Sequence, residues 1–507
     1  MSGPVRGRRA PGGVTALLGI PYAAPPFGPH RFRAPQPAAG WSEPRDCRDF
    51  GPIAPQSAEL PGAPVWRPED EDVLTVNVWV PSEPGGGPLP VLFWIHGGAY
   101  TFGSSAQPDF DGSALARAGM VVVSCNYRVG FEGFGHVPGF PENRGLLDQV
   151  AALRWVRENI AAFGGDPERV TVAGHSAGAG SVVCLMAMER ARGLFRRAIA
   201  HSVPAAFFTV GVAAATAARI AAEAGVAPTG EGLLSASPRR LVDASDRVGG
   251  VIGDDPVTAI QAYDPVVFQP VVDGEVLPMD PLSALEAGSS GDVDLLVCHA
   301  LEEYWFLHEV GAVREITSEA ELTDCARDLG LPADLLDGYR ALMPGAPVLD
   351  RYLALLGDAQ FGEYGARLAE HHARAGGRAA AVAGEEGRPS SGGRAYLSRF
   401  ARRRATPDGW TRPWHTADIP FAFGNLDADG AAFLIGGAPD EQDRALSRRM
   451  LRAWADFAAS GDPGWPPITP DATPVKLWAV PADHLADDAT SDVRELWRGV
   501  PLGLQRH

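Results

Sequence analysis

Cysteine is scarce and scattered: Cys47, Cys125, Cys184, Cys298 and Cys325 are odd in number and far apart, with no Cys-x-x-Cys pair. That spacing excludes a closely ligated zinc knuckle and a redox dithiol, and it points to buried free thiols. Also missing is any apolar stretch long enough to span a bilayer. The N-terminal MSGPVRGRRAPGGVTALLGIPYA has arginines but no long apolar core before its Pro and Gly residues, so it reads poorly as a signal peptide. Positive charge is in deficit, with 44 Lys and Arg against 62 Asp and Glu and a formal net charge of −18. Phosphate backbones and anionic lipid repel such a chain, which argues against nucleic acid or a membrane surface as partner. A soluble, cytoplasmic protein without internal repeats is expected.

What is present is ordinary globular composition, 45% hydrophobic, 21% charged and 8% aromatic over 507 residues. This allows one or two domains with a sizeable core. The first 70 residues are rich in Gly, Pro and turn residues, and VLTVNVWV (73–80) alternates as a half-buried strand does. LPVLFWIHGG (89–98) and MVVVSCNYR (120–128) are nearly continuous apolar runs, as expected of strands covered on both faces. LLDQVAALRWVRENIAAFGG (146–165) has helical spacing and stops at Gly164 and Gly165, followed by a strand over 170–173 and a helix in SAGAGSVVCLMAMERA. Alternating strands and helices predict an α/β fold built on parallel βαβ units. Residues 205–262 are Ala-rich and helical in pattern, suited to a cap. AGGRAAAVAGEEGRPSSGGR (375–394) reads as a flexible surface segment, and LSRRMLRAWADFAASGDP (446–463) as an amphipathic helix ending at Gly461.

VTVAGHSAGAG (170–180) places Ser176 in a Gly-x-Ser-x-Gly pattern where a strand turns into a helix. A serine there sits on a strained elbow, with the Ala177 N–H opening the helix as a donor toward an oxyanion. The pentapeptide alone is also what a glycine-rich structural turn looks like. A second loop, IHGGAY (95–100), directly follows an apolar strand and has Gly97 and Gly98 to aim consecutive N–H groups at one point. Two such loops in this chain order favour a serine nucleophile with its oxyanion donors.

The motifs LGIPYAAPPFGPHRF (18–32), FWIHGGAYTFGS (93–104), NRGLLDQVAALRWVRENIAAFGGDPERVTVAGHSAG (143–178), FQPVVDGEVLP (268–278) and PWHTADIPFAFGN (413–425) are spread along the chain. With them the sequence resembles the type-B carboxylesterase and lipase family, the group that includes the para-nitrobenzyl esterases and the cholinesterases. The resemblance implies a single α/β-hydrolase domain over 1–507, a mostly parallel sheet flanked by helices, and helical cap insertions. It implies a serine carboxylesterase acting on small-molecule esters through an acyl-serine intermediate, with no cofactor and no metal. Its catalytic residues map to Ser176, Glu303 and His415, and its oxyanion donors to Gly98, Ala99 and Ala177. Glu302 is the alternative acid within VDLLVCHALEEYWFL (293–307).

Departures from the family pattern are specific. His175 stands where many relatives have glutamate; neighbouring residues on a sharp turn point apart, so His175 is not expected to be the base but to alter the electrostatics beside the acyl site. Ala99 replaces the usual third glycine of the oxyanion loop. Ala54 and Val73 replace the cysteines of an early disulfide, which fits a reducing compartment. Arg128, Asp148 and Asp166 are expected in buried salt bridges, and Ser202 either beside the triad or as a plain core serine. Specificity is expected from the loop at 55–70, the helices at 205–262 and the segment at 304–320. The same motifs serve a lactone, carbamate or amide hydrolase or an acyl-transferring enzyme, and a non-catalytic cholinesterase-like binding protein is the reading from another class.

Overall fold

In the computed structural model, which describes residues 3–58, 64–83, 85–385, 392–406, 409–488 and 491–502, the apolar runs form the middle of an eleven-stranded sheet. Its strands are β1 (Arg8–Ala10), β2 (Val14–Pro21), β3 (Thr75–Pro81), β4 (Leu89–Ile95), β5 (Val121–Cys125), β6 (Gly165–His175), β7 (Arg197–His201), β8 (Asp294–Ala300), β9 (Ala395–Phe400), β10 (Pro474–Trp478) and β11 (His484–Asp487). Their spatial order is β11-β10-β9-β8-β7-β6-β4-β5-β3-β2-β1. Strands β4 to β10 run parallel, and antiparallel pairing is confined to the two edges.

The flanking helices include α1 (Arg144–Asn159), α2 (Ala177–Ala187), α3 (Val210–Glu223), α4 (Gly230–Ser235), α5 (Pro238–Gly249), α6 (Glu303–Glu309), α7 (Val348–Gly357), α8 (Glu363–Glu385), α9 (Ile419–Phe423) and α10 (Glu441–Ser460). Alternation along each strand separates two cores. Val91, Phe93 and Ile95 face one of them, whereas Leu92 and Trp94 face the other, where Trp454 of α10 lies. All seven residues of β4 except its first are buried, so the unbroken apolar run reflects cover on both faces. No helix among the described residues is long and apolar enough to cross a membrane.

Three expectations need correcting. The strand predicted over 170–173 is longer, beginning at Gly165 and ending at His175; Gly164 alone stops the preceding helical turn, at φ 80°. Residues 375–385, read as flexible, continue α8, while 386–391 lie outside the described residues. Packing overrides the loop-like composition here: Ala366, Leu368, Ala369 and Ala375 are buried, and a Cβ on Gly376 would lie 2.3 Å from the Gly393 carbonyl oxygen. The two glycines admit a close approach of chains rather than a break.

Asp166 is the third. Its carboxylate accepts the Glu168 N–H at 3.0 Å near the start of β6, and among the described residues it joins no ion pair. Arg128 and Asp148 behave as expected: both side chains are fully buried and joined by a two-pronged contact of 2.7 and 2.8 Å. Asp148→Asn leaves the guanidinium without its counter-charge and is expected to lower stability by about 3–5 kcal/mol. Asp166→Asn is expected to change it by less than about 0.5 kcal/mol. Denaturant midpoints of the two variants check the contrast. All five cysteines are free and buried.

Candidate active site

The parallel register brings the carboxyl ends of adjacent strands level. Ile95 pairs with Gly174, His175 with His201, and His201 with Cys298. The loops that follow β4, β6, β7 and β8 therefore open together, where an open parallel sheet gathers its functional groups.

Ser176 caps the N-terminus of α2 with φ 56° and ψ −126°, a conformation that an L residue adopts only when its surroundings impose it. The flanking glycines show what imposes it. A Cβ on Gly174 would lie 2.4 Å from the Gly178 carbonyl oxygen, and one on Gly178 would lie 2.1 Å from that of Ile95. Strand, elbow and helix start are thus in backbone contact, and neither glycine admits a side chain. Gly178→Ala is expected to push α2 away from β4, costing about 1–3 kcal/mol and most of the ester turnover. Thermal unfolding and activity measured on the same preparation check both effects.

The loop after β4 is equally constrained. Gly98 has φ 116° and a Cβ there would meet the Phe102 carbonyl oxygen at 2.0 Å, while Ala99 and Tyr100 take φ values of 51° and 59°. Ala99 in place of glycine is therefore held in a left-handed conformation by its setting. The Gly98 carbonyl accepts the N–H groups of Thr101 and Phe102, which closes the turn. His96, stacked on Tyr127 with ring centroids 4.4 Å apart, is pushed by burial down to about 4 and stays neutral.

Glu303 and His415 are brought together. Glu303 opens α6, is buried, and uses both oxygens: Oε2 accepts the His415 Nδ1–H at 2.6 Å, and Oε1 accepts the Ala300 N–H and the Ser202 hydroxyl at 2.7 Å each. The loops are also joined along the backbone, by Glu302 N–H to Pro413 O at 2.9 Å and His415 N–H to Glu303 O at 3.4 Å. Glu302 points elsewhere, to Arg412 at 2.6 Å and to Arg403. The bond fixes the His415 proton on Nδ1 and leaves Nε2 as the nitrogen with a free lone pair.

Aromatic rings surround His415. Those of His175, Phe361 and Phe306 lie at 4.5, 4.9 and 6.2 Å. Phe361 arrives there on a single π-helical turn, Asp358–Gly362, between α7 and α8. His175 is buried, and burial together with the neighbouring His415 holds its pKa well below that of a free imidazole. It is therefore a neutral ring tilted by 44° against that of His415.

Two residues that sequence reasoning passed over complete the arrangement. His201 ends β7 beside His175, and Asp418 stands three positions after His415. Their side chains meet at 2.5 Å, Nδ1 to Oδ2. Nothing local marks this pair, since the partners are 217 residues apart and meet only through the sheet register. Burial pushes the His201 imidazole down, but Cys298 and Asp418 outweigh it and pull it up to about 10, which by itself would leave the ring charged. The Trp454 indole N–H, a donor only, lies 3.2 Å from Nε2 and decides the matter. A doubly protonated ring would set two N–H groups against each other, so His201 is neutral with its proton on Nδ1. The His201, Cys298 and Asp418 ligand atoms lie within 4.8 Å of one another, as a metal site requires, yet both His201 nitrogens are already engaged.

Comparison with known proteins identifies the family. The chain matches the carboxylesterase family over residues 1–477. It is 34% identical over 472 residues to the para-nitrobenzyl esterase of Bacillus subtilis (strain 168), covering 90% of this chain and 89% of that protein. To the phenmedipham hydrolase of Pseudarthrobacter oxydans it is 33% identical, over 89% of this chain and 87% of that one. A solved para-nitrobenzyl esterase structure superposes with a TM-score of 0.81 at 31% identity, covering 97% of each chain. The chain belongs to the carboxylesterase family and is a carboxylic ester hydrolase on the α/β-hydrolase fold.

Proposed function

We propose that Ser176 is the nucleophile, His415 the general base and acid, and Glu303 the group that orients and stabilises the imidazolium, with Gly98, Ala99 and Ala177 N–H groups binding the oxyanion. The observation that carries this reading is the 2.6 Å bond from His415 Nδ1 to Glu303, which leaves Nε2 to take the serine proton and return it to the leaving alcohol. The strained elbow at Ser176 supports it, because it sets a partly accessible serine at a helix N-terminus, as acylation needs. Deacylation runs these steps in reverse with water in place of the alcohol: His415 takes the water proton as the water attacks the acyl carbon and returns it to the departing Ser176 oxygen.

The substrates of this reading are small apolar esters. Phe306, Trp414 and Phe433 form a ring cluster with centroids 5.6–6.3 Å apart that begins at His415, and Phe433 remains about half exposed. The helices α3 to α5 lie within the stretch assigned to a cap, and the whole chain acts as one hydrolase domain. Five unpaired, buried cysteines support a cytoplasmic setting. The test is a panel of neutral esters, lactones and amides assayed with wild type and Ser176→Ala: ester turnover lost in the variant supports the reading. Turnover retained there overturns it, and lactone or transfer activity in an ester-inactive wild type replaces the substrate class while keeping the triad.

A further inference from the structure

We propose that His201 is a positioning residue whose side-chain bond to Asp418 sets the strand end that holds Ser176 against the loop that carries His415. This rests on the triad reading above and adds to it a tie between two of its members.

One dipeptide, His201–Ser202, touches the surroundings of all three. The His201 carbonyl accepts the Ser176 N–H at 2.9 Å, and the Ser202 hydroxyl donates to Glu303 at 2.7 Å. The His201 ring donates to Asp418 at 2.5 Å, in the same short segment as His415. Only Thr416 and Ala417 separate His415 from Asp418, and Thr416 is held at φ 75°. Ser202 is held at φ 54°, and its own N–H is fixed to the Cys298 carbonyl at 2.7 Å. Displacing either end of the His201–Asp418 bond therefore moves a segment with little freedom to compensate.

A plain core histidine accounts for less. Trp454 donates to Nε2 at 3.2 Å and packs edge-on at 5.1 Å, so the ring is held from the α10 side whether or not Asp418 is present. Asp418, fully buried, receives from the ring through Oδ2, while its Oδ1 has no partner among the described residues. An apolar pair fills the same space without desolvating a carboxylate. What the polar pair adds is a short, directed bond between β7 and the His415 loop. Reacting groups misplaced by about 1 Å lose roughly a hundredfold in rate, so a tie of this kind acts on turnover more than on binding.

The test compares His201→Phe, which keeps a ring but cannot donate, with His201→Asn, whose amide nitrogen occupies the place of Nδ1 and still reaches Asp418. His201→Phe is expected to lower kcat about 10- to 100-fold with KM within about twofold. His201→Asn is expected to stay within about threefold of wild-type kcat although it loses the Trp454 contact and its Tm falls. Asp418→Asn, whose amide oxygen still accepts from Nδ1, is expected to follow His201→Asn. Should His201→Phe not fold, His201→Ala against His201→Asn makes the same comparison. A kcat for His201→Asn as low as that of the non-donating variant, or a kcat for His201→Phe within twofold of wild type, overturns the proposal. Ser176→Ala assayed alongside keeps the two readings apart: turnover surviving there removes the triad itself, whereas an inactive Ser176→Ala beside a fully active His201→Phe removes the tie alone.

Discussion

Ser176→Ala is expected to lower kcat for a neutral ester by about 10⁵- to 10⁶-fold with little change in KM. The loss is this large because the other groups work through the serine oxygen. His415 has no proton to remove, and the oxyanion donors have only a water-derived intermediate to stabilise, which leaves a residual rate roughly 10³–10⁴ above that in water. Folding should be spared: Ser176 is held at φ 56° by contacts of Gly174 and Gly178 with neighbouring backbone, and alanine meets the same constraint without a larger side chain. Intact-mass analysis after treatment with a serine-directed phosphonate gives a second readout. Wild type should gain one adduct and Ser176→Ala none; an adduct on the variant would place the nucleophile at another residue.

The site was legible in the sequence where function depends on local backbone. Gly-x-Ser-x-Gly and His-Gly-Gly are short because contacts that demand glycine are made within a few residues: Gly174 meets Gly178 and Gly98 meets Phe102. The apolar runs of β4 and β5 were legible for a similar reason, since burial on both faces removes the alternation that a half-exposed strand keeps. Glu303 and His415 were reached only through family resemblance. His201 and Asp418 were not reached at all, because their bond follows from pairing between β6, β7 and β8 and from the packing of α10, not from spacing along the chain. Asp166 failed in the opposite sense: a charged residue in a motif suggested a buried pair, and the Glu168 N–H two residues on satisfies it locally.

The same logic separates the adjacent glutamates. Glu303→Gln is expected to lower kcat by about 10³- to 10⁴-fold, and the cause is a tautomer rather than a lost shape. One Glu303 oxygen receives two donors, the Ala300 N–H and the Ser202 hydroxyl, and the other receives one, His415 Nδ1–H. A glutamine has one oxygen and one NH2. The Ala300 N–H cannot turn away, so the amide oxygen stays on that side and the NH2 faces His415. The imidazole then accepts at Nδ1 and carries its proton on Nε2, the nitrogen that should receive the serine proton, and general-base catalysis stops. Glu302→Gln does none of this. It removes the charge shared by Arg403 and Arg412 and is expected to lower the unfolding temperature while kcat stays within about threefold. Steady-state kinetics of the two variants decide between the acids. Losses in the reverse order would make Glu302 the triad acid and leave the Glu303–His415 bond a structural contact.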